Sequence, residues 1–195
     1  MRTLSNFGRA TAVVAVILAA TTMLSCKRVT SSKQTHADQL YIQVSAIGGL
    51  DYFYDHKLGM KLAGEALGVQ TDYVGPAEYD MAAMVNALEQ SIARKPDGLV
   101  VVGFEPSLNP IVDKAVAAGI PVVTVDGDLP GSKRIAFVGT GNVRAGYEIG
   151  KKLAQAVGKG KVALLYKPGQ PNLEERREGF KQAVKESGQI ELVDE

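Results

Sequence analysis

The chain has few of the residues that build cross-links and metal centres. Its 195 residues include one cysteine, two histidines and no tryptophan. A single cysteine excludes a disulfide framework and a cysteine-based zinc cluster. Two histidines, His36 and His56, leave little from which an imidazole metal site could be built. The composition therefore predicts no metal centre.

The chain also lacks an excess of charge of either sign, because it has 22 basic and 21 acidic residues and a net charge of +1. A nucleic-acid-binding protein is expected to carry a basic footprint, so no nucleic-acid partner is predicted. The hydrophobic fraction of 46% is ordinary for a globular protein and too high for a disordered one.

Enzyme and nucleotide motifs are weak. The segment GTGNVR at 139–144 begins like a dinucleotide fingerprint but has Arg144 where the third glycine belongs. The segment GKGK at 158–161 lacks the spacing of a phosphate loop, and no Gly-x-Ser-x-Gly elbow occurs. We predict a protein that is not an enzyme and holds no cofactor; an exported α/β enzyme stays a distant alternative.

The first 26 residues are typical of an export signal. Arg2 and Arg9 accompany an apolar run over 10–24 that is too short to span a bilayer comfortably. The run ends in MLSC at 23–26, which resembles a bacterial lipoprotein box and implies lipidation of Cys26. A plain secretory signal with an incidental cysteine is the alternative. Both predict export to the periplasm or cell envelope, and membrane contact is expected only through the lipid anchor.

Residues 27–39 are polar and predict a flexible tether. From Leu40 onward, short apolar runs alternate with amphipathic helical stretches, which predicts an α/β fold with a Rossmann-like parallel sheet flanked by helices. The first helix carries Tyr54, Leu58 and Leu62 on one face at four-residue steps. Three helix N-caps are also predicted: Asp80, Asn109 before Pro110, and Asn172 in a capping box with Glu175.

A ligand of a parallel sheet lies beyond the carboxyl ends of its strands. The segments expected at that edge are 48–54, 104–109, 126–130 and 167–177.

The finer pattern resembles the type I periplasmic binding proteins, the sugar-binding components of bacterial ABC transporters. The stretches that carry this likeness are DYFY at 51–54, KPDGLVVV at 95–102, AAGIPVVTVD at 117–126, FVGTGN at 137–142 and ERREGF at 175–180.

Together with the export signal, the resemblance implies a solute-binding lipoprotein of an ABC importer. It would capture a sugar or sugar-like ligand between two lobes and deliver it to an ABC permease. A ligand-sensing module of the same fold, signalling to a chemoreceptor or kinase, is the alternative. The resemblance also implies a complete N-terminal ligand-binding lobe at 40–139. A hinge crossover and an incomplete C-terminal lobe are expected at 140–195, in a chain truncated at its C-terminus.

Six ligand-binding residues follow from the resemblance and from the chemistry of sugars, whose C–H faces pack on aromatic rings and whose hydroxyls bind charged groups. They are Tyr52, Phe53, Asp126, Arg176, Asp128 and Glu105.

Five of the six have a structural alternative, and Asp128 is a weaker candidate than Asp126. The two aromatic residues are otherwise core residues, Asp126 otherwise caps a turn, and Arg176 lies in a charge run typical of a solvated helix face. Glu105 either lines the cleft or stays in water. Gly127 stands where the ribose branch has arginine, which argues against ribose itself.

Overall fold

The structure, a computed structural model, describes residues 36–195. The predicted signal at 1–26, including Cys26, lies outside the described residues, as does most of the predicted tether. Where the description begins, the Gln70 side chain donates a hydrogen bond of 2.7 Å to the carbonyl of Ala37. No helix among residues 36–195 is long and apolar enough to cross a membrane.

The first part of the described chain alternates strictly between strands and helices until β4 is followed directly by β5. Two single 3-10 turns, Asp51–Phe53 and Pro106–Leu108, precede α1 and α3. The elements are β1 (Leu40–Val44), α1 (Tyr54–Leu67), β2 (Gln70–Val74), α2 (Met81–Ala93), β3 (Gly98–Val102), α3 (Asn109–Ala117), β4 (Val122–Val125) and β5 (Ala136–Val138).

These five strands form one parallel sheet in the order β2-β1-β3-β4-β5, which confirms the predicted α/β class. The inner strands β1 and β3 are mostly apolar and largely buried, as expected when helices cover both faces of a sheet. Ile42, Leu99 and Val101 pack with Met84 and Leu88 of α2 in the core. We call this part, residues 40–138, the first lobe.

The second part starts with a long helix and contains a smaller sheet. Its elements are α4 (Asn142–Val157), β6 (Gly160–Ala163), α5 (Pro171–Ser187) and β7 (Ile190–Asp194). Strands β6 and β7 pair in parallel. We call residues 142–194 the second lobe.

Glycine brings α4 and α5 of the second lobe unusually close together. A Cβ atom placed on Gly146 would collide with the backbone carbonyl of Arg176, and one placed on Gly179 would collide with that of Val143. At Gly150 the nearest atom would be the Ala183 Cβ, at 2.7 Å. The two helices therefore pack backbone against backbone over more than one turn.

The apolar face of helix α1 points away from the sheet. Tyr54, Leu58 and Leu62 are exposed to solvent, whereas Gly64 is the buried residue of this helix. A Cβ on Gly64 would lie 2.9 Å from the Thr71 side chain, so α1 approaches β2 through its glycine. The four-residue apolar spacing correctly predicted a helix, but it does not mark the side that is buried.

The helix caps give mixed results. Asp80 caps α2 as predicted, because its carboxylate accepts a 2.9 Å hydrogen bond from the N–H of Ala83. The capping box at Asn172 is wrong, since α5 begins at Pro171 and its N-cap is Gln170. Asn109 does not cap α3 either; its amide donates to the carbonyl of Pro130 over 3.1 Å. In both wrong cases proline at the helix start fixed the boundary near the predicted place.

Candidate functional site

Two neighbouring aromatic side chains follow β1 in a 3-10 turn, and the structure gives them different environments. Tyr52 is 60% exposed, whereas Phe53 is 3% exposed. Their rings meet edge to face with centroids 5.0 Å apart. Phe53 thus supports the Tyr52 ring from below, and Tyr52 is the one whose face is open to the solvent.

Tyr52 and Asp126 meet although 74 positions separate them in the sequence. The Tyr52 hydroxyl donates a 2.8 Å hydrogen bond to the Asp126 carboxylate. Burial, followed by this hydrogen bond, raises the pKa of the Tyr52 hydroxyl above its usual value. The predicted aromatic residue and the predicted carboxylate therefore share one edge of the first sheet.

Asp126 is held in a backbone conformation that is rare for residues other than glycine. Its φ is +66°, in the left-handed region. Its N–H donates to the carbonyl of Val138 over 3.1 Å, which ties the end of β4 to the end of β5. The carboxylate thus sits beside the point where the chain leaves the first lobe.

The loops after β3 and β4 touch through two glycines. The Gly103 N–H donates to the Gly127 carbonyl over 3.0 Å. A Cβ on Gly103 would lie 2.5 Å from that same oxygen, and a Cβ on Gly127 would collide with the carbonyl of Gly103. Only glycine fits at either position in this arrangement, and the contact keeps Asp126 next to the loop that carries Glu105.

Arg176 brings a positive charge from the second lobe to this edge. Its Nη2 donates a 2.6 Å hydrogen bond to Oδ1 of Asn142, a side chain that is only 2% exposed. The Asn142 amide in turn donates to the Thr140 carbonyl over 3.0 Å. The guanidinium charge acts on the Tyr52 hydroxyl, where it opposes the rise in pKa. The Nε of Arg176 is buried without a hydrogen-bond partner, so this arginine has a donor to spare.

The carboxylate of Asp128 is already occupied by the protein. It accepts hydrogen bonds from the Arg134 guanidinium, from the Thr124 hydroxyl at 2.8 Å and from the Leu129 N–H at 2.8 Å. Burial raises the pKa of Asp128, but these hydrogen bonds outweigh burial, and the pKa lies below its usual value. The structure thus gives Asp128 a role inside the first lobe, beneath the turn that carries Asp126.

Glu105 meets a residue that the sequence did not single out. The Tyr79 hydroxyl donates a 2.7 Å hydrogen bond to Glu105. Tyr79 also packs edge to face on Phe104 at 5.7 Å, and Phe104 in turn lies 6.0 Å from Phe53. A row of aromatic rings therefore joins Tyr52 at one end to Tyr79 at the other.

Sequence reasoning flagged the segment that begins at Phe104 but missed Tyr79 and Asn142. Tyr79 lies in the loop after β2, and the signal that could have found it is an aromatic residue at the carboxyl edge of a parallel sheet. Asn142 was placed in an incomplete nucleotide motif and in the FVGTGN stretch that carries the resemblance, but no role at the site was predicted for it. His56 accepts a 2.8 Å hydrogen bond from the Gln43 amide when its Nδ1 is unprotonated. This hydrogen bond gives His56 a structural role in α1, beneath the row of aromatic rings.

No group of histidine, cysteine, aspartate and glutamate residues suited to a metal ion occurs within residues 36–195. Three cavities of about 910, 590 and 220 Å³ lie elsewhere on the surface of the described residues. Among these three, only the smallest is lined by a predicted site residue, Arg176. None of the three is lined by Tyr52 or Asp126. The site is thus defined by its side chains and hydrogen bonds: two carboxylates, one guanidinium and an aromatic row that can together bind hydroxyls and cover an apolar face.

Comparison with known proteins decides the family. A family model described as a periplasmic binding protein domain matches residues 44–195. The chain belongs to the type I periplasmic binding protein family. This confirms the resemblance and the Rossmann-like architecture expected from the sequence.

Two relatives of this periplasmic binding protein illustrate the likeness. The ribose import binding protein RbsB of Bacillus subtilis (strain 168) is 30% identical over 132 residues, which cover 66% of this chain and 43% of RbsB. A solute-binding protein of an ABC transporter from Burkholderia graminis C4D1M, solved with D-arabinose, has a TM-score of 0.76 at 30% identity. The match covers 80% of this chain and 55% of that protein.

A second similar structure is a complex, XylFII-LytSN, with a TM-score of 0.74 at 29% identity. It covers 80% of this chain and 58% of the solved chain. The present chain thus spans about half the length of the relatives that it matches.

Proposed function

We propose that this protein is the solute-binding component of an ABC importer and that it captures a sugar or sugar-like ligand between its two lobes for delivery to a permease. The observation that carries the proposal is the Tyr52–Asp126 hydrogen bond of 2.8 Å with Arg176 of the second lobe beside it. A carboxylate and a guanidinium bind neighbouring hydroxyls through charge-assisted hydrogen bonds, and an exposed ring covers the C–H face of a sugar.

The unpartnered Nε of Arg176 supports this role. A buried guanidinium N–H without an acceptor costs free energy, and a ligand hydroxyl would relieve that cost. The family of the chain supports it as well, since its relatives include a ribose import binding protein and a protein solved with D-arabinose. Within the site we assign ligand contact to Tyr52, Asp126, Arg176 and Glu105. Phe53 and Asp128 are assigned to positioning.

Isothermal titration calorimetry with D-arabinose, D-ribose and a panel of pentoses and hexoses tests the proposal on the purified protein. For the sugar that binds, Asp126→Asn should lower affinity by about 10- to 150-fold, which corresponds to about 1.5–3 kcal/mol for a hydrogen bond to a charged group. Asp38→Asn is the matched control, because Asp38 lies exposed just before β1, at the opposite end of that strand from Tyr52.

Equal affinity of Asp126→Asn and Asp38→Asn would remove Asp126 from the site. A panel in which no sugar binds, while the protein is folded by circular dichroism, would count against a carbohydrate ligand altogether.

A ligand-sensing role is the second candidate, and the likeness to the XylFII-LytSN complex favours it. In that case the ligand-loaded protein should bind a partner receptor domain and not a permease. Pull-down with the permease and with the receptor encoded nearest to its gene, each with and without sugar, separates the two roles by which partner is retained.

We also propose that the protein is exported and lipidated at Cys26. Labelling of cells with a radioactive fatty acid should mark the native protein, and Cys26→Ser should abolish the label. Export that persists in unlabelled form for the native protein would support the plain secretory signal instead.

A further inference from the structure

Lys167, a charged residue of the second lobe, contacts an aromatic ring of the first. Nζ of Lys167, in the segment after β6, lies 3.5 Å from the centroid of the Tyr79 ring. A cation this close to the face of a tyrosine is in direct cation–π contact. Lys167 and Tyr79 are separated by 88 positions, so the contact joins the two lobes and not two parts of one element.

The surroundings of the Tyr79 ring favour the binding of a cation to its face. Its hydroxyl donates to the Glu105 carboxylate over 2.7 Å, which places a negative charge next to the phenol. That charge increases the attraction between the ring and an ammonium group. The edge-to-face contact with Phe104 at 5.7 Å fixes the plane of the ring.

The contact lies away from the chain crossover. The chain leaves the first lobe after β5, at one edge of the sheet. Tyr79 instead lies over the neighbouring ends of β1 and β3, since Asp80 N–H donates to the carbonyl of Ala46 over 3.0 Å and Tyr79 packs on Phe104. Strand β4 separates this position from β5. A contact so placed resists rotation of one lobe about the crossover.

We propose that Lys167 and Tyr79 are positioning residues that hold the second lobe against the first and set the fraction of molecules with closed lobes. Glu105 acts through Tyr79 in this arrangement. The proposal concerns lobe position and does not require that the ligand be a sugar.

Distance measurement between the lobes tests it without any ligand. Spin labels at the exposed positions Lys61→Cys on α1 and Lys185→Cys on α5, in a Cys26→Ser background, report the lobe separation by pulsed electron resonance. Lys167→Met, which keeps the length of the side chain and removes its charge, should lower the ratio of closed to open molecules. The expected change is between about two- and thirty-fold, the range for exposed to desolvated cation–π pairs.

Three further variants make the result specific. Lys167→Arg should restore most of the closed population, because guanidinium also binds aromatic faces. Tyr79→Leu should match Lys167→Met, and Tyr79→Phe should fall between it and the native protein. Lys151→Met is the matched control, since Lys151 lies 5.5 Å from the Tyr147 ring within one helix, and it should leave the distance distribution unchanged.

Unchanged distances in both Lys167→Met and Tyr79→Leu would overturn the proposal, as would equal effects of Lys167→Met and Lys151→Met. Calorimetry on the same variants keeps this outcome distinct from the function proposed above. A protein that binds no sugar can still show the Lys167-dependent distance, and a sugar-binding protein can lack it.

Discussion

The two lobes bury very different amounts of apolar surface. The core of the first lobe contains fourteen buried hydrophobic residues, whereas the corresponding cluster of the second contains three: Phe180, Val184 and Ile190. In the second lobe Leu165 is 99% exposed and Ile149 is 54% exposed. Burial of apolar area is the main favourable contribution to folding. Within residues 36–195, most of the stabilising apolar burial therefore lies in the first lobe.

The largest expected effect comes from the first core. Leu99→Ala, at a residue that is fully enclosed on β3, should lower the free energy of unfolding by about 2–5 kcal/mol. Ile190→Ala in the second lobe removes a similar side chain but should cost less, because the cavity opens toward solvent. Urea unfolding followed by circular dichroism measures both. Equal losses would mean that the two clusters are equally well packed, which would refute the contrast.

A smaller effect is expected at the α4–α5 contact. Gly179→Ala introduces a methyl group that collides with the carbonyl of Val143, so the helices must separate at a cost of about 1–3 kcal/mol. Gly59→Ala on α1 is the matched control, because nothing lies within 4 Å of its added Cβ. That substitution should stabilise the protein by about 0.5–1 kcal/mol. Thermal unfolding should thus shift in opposite directions for the two variants.

The smallest expected effect is on stability at acid pH, where the ion pair of Asp128 with Arg134 is compared with that of Glu195 with Arg177. The pKa of Asp128 is depressed in the folded state, so its contribution is present above about pH 4 and is lost as pH falls through the folded value. Asp128→Asn should therefore flatten the acid loss of stability and lower stability at pH 7. Stability measured from pH 7 to pH 2.5 reports the difference.

Glu195→Gln provides the comparison from the end of the chain. Hydrogen bonds from Arg177 and Lys181 lower the pKa of Glu195 as well, yet this pair is more open to solvent. Its effect should be weaker and should shrink in 0.5 M salt, whereas the effect of Asp128→Asn should persist. Equal salt sensitivity of the two variants would show that Asp128 is no better shielded than Glu195.

The fold was predictable because each strand and helix has its own local pattern of apolar residues, and these patterns alternate along the chain. Apolar runs such as GLVVV in β3 are typical of a sheet covered on both faces. The buried side of α1 was not predictable in this way, because a glycine and not a leucine faces the sheet at Gly64. The periodicity of a helix shows where its apolar residues lie. It does not show which face of the helix packs closely against a neighbouring backbone.

The candidate site was predictable at the residue level only in part. The meeting of Tyr52 with Asp126 follows from two strands of one parallel sheet, whose carboxyl ends share an edge. The ion pair between Asp128 and Arg134 could be predicted only from the conformation of the turn between them. The contact of Lys167 with Tyr79 could be predicted only from the relative position of the two lobes. No pattern within a single segment contains that information.

The mutual contact of Gly103 and Gly127 limits how the proposed ligand site could be redesigned. Neither position tolerates a side chain, so no new recognition group can be introduced at the centre of the strand ends without pushing β3 and β4 apart. Attempts to redesign selectivity should leave this pair untouched and vary the surrounding ring and carboxylate positions, where a substitution leaves the backbone in place.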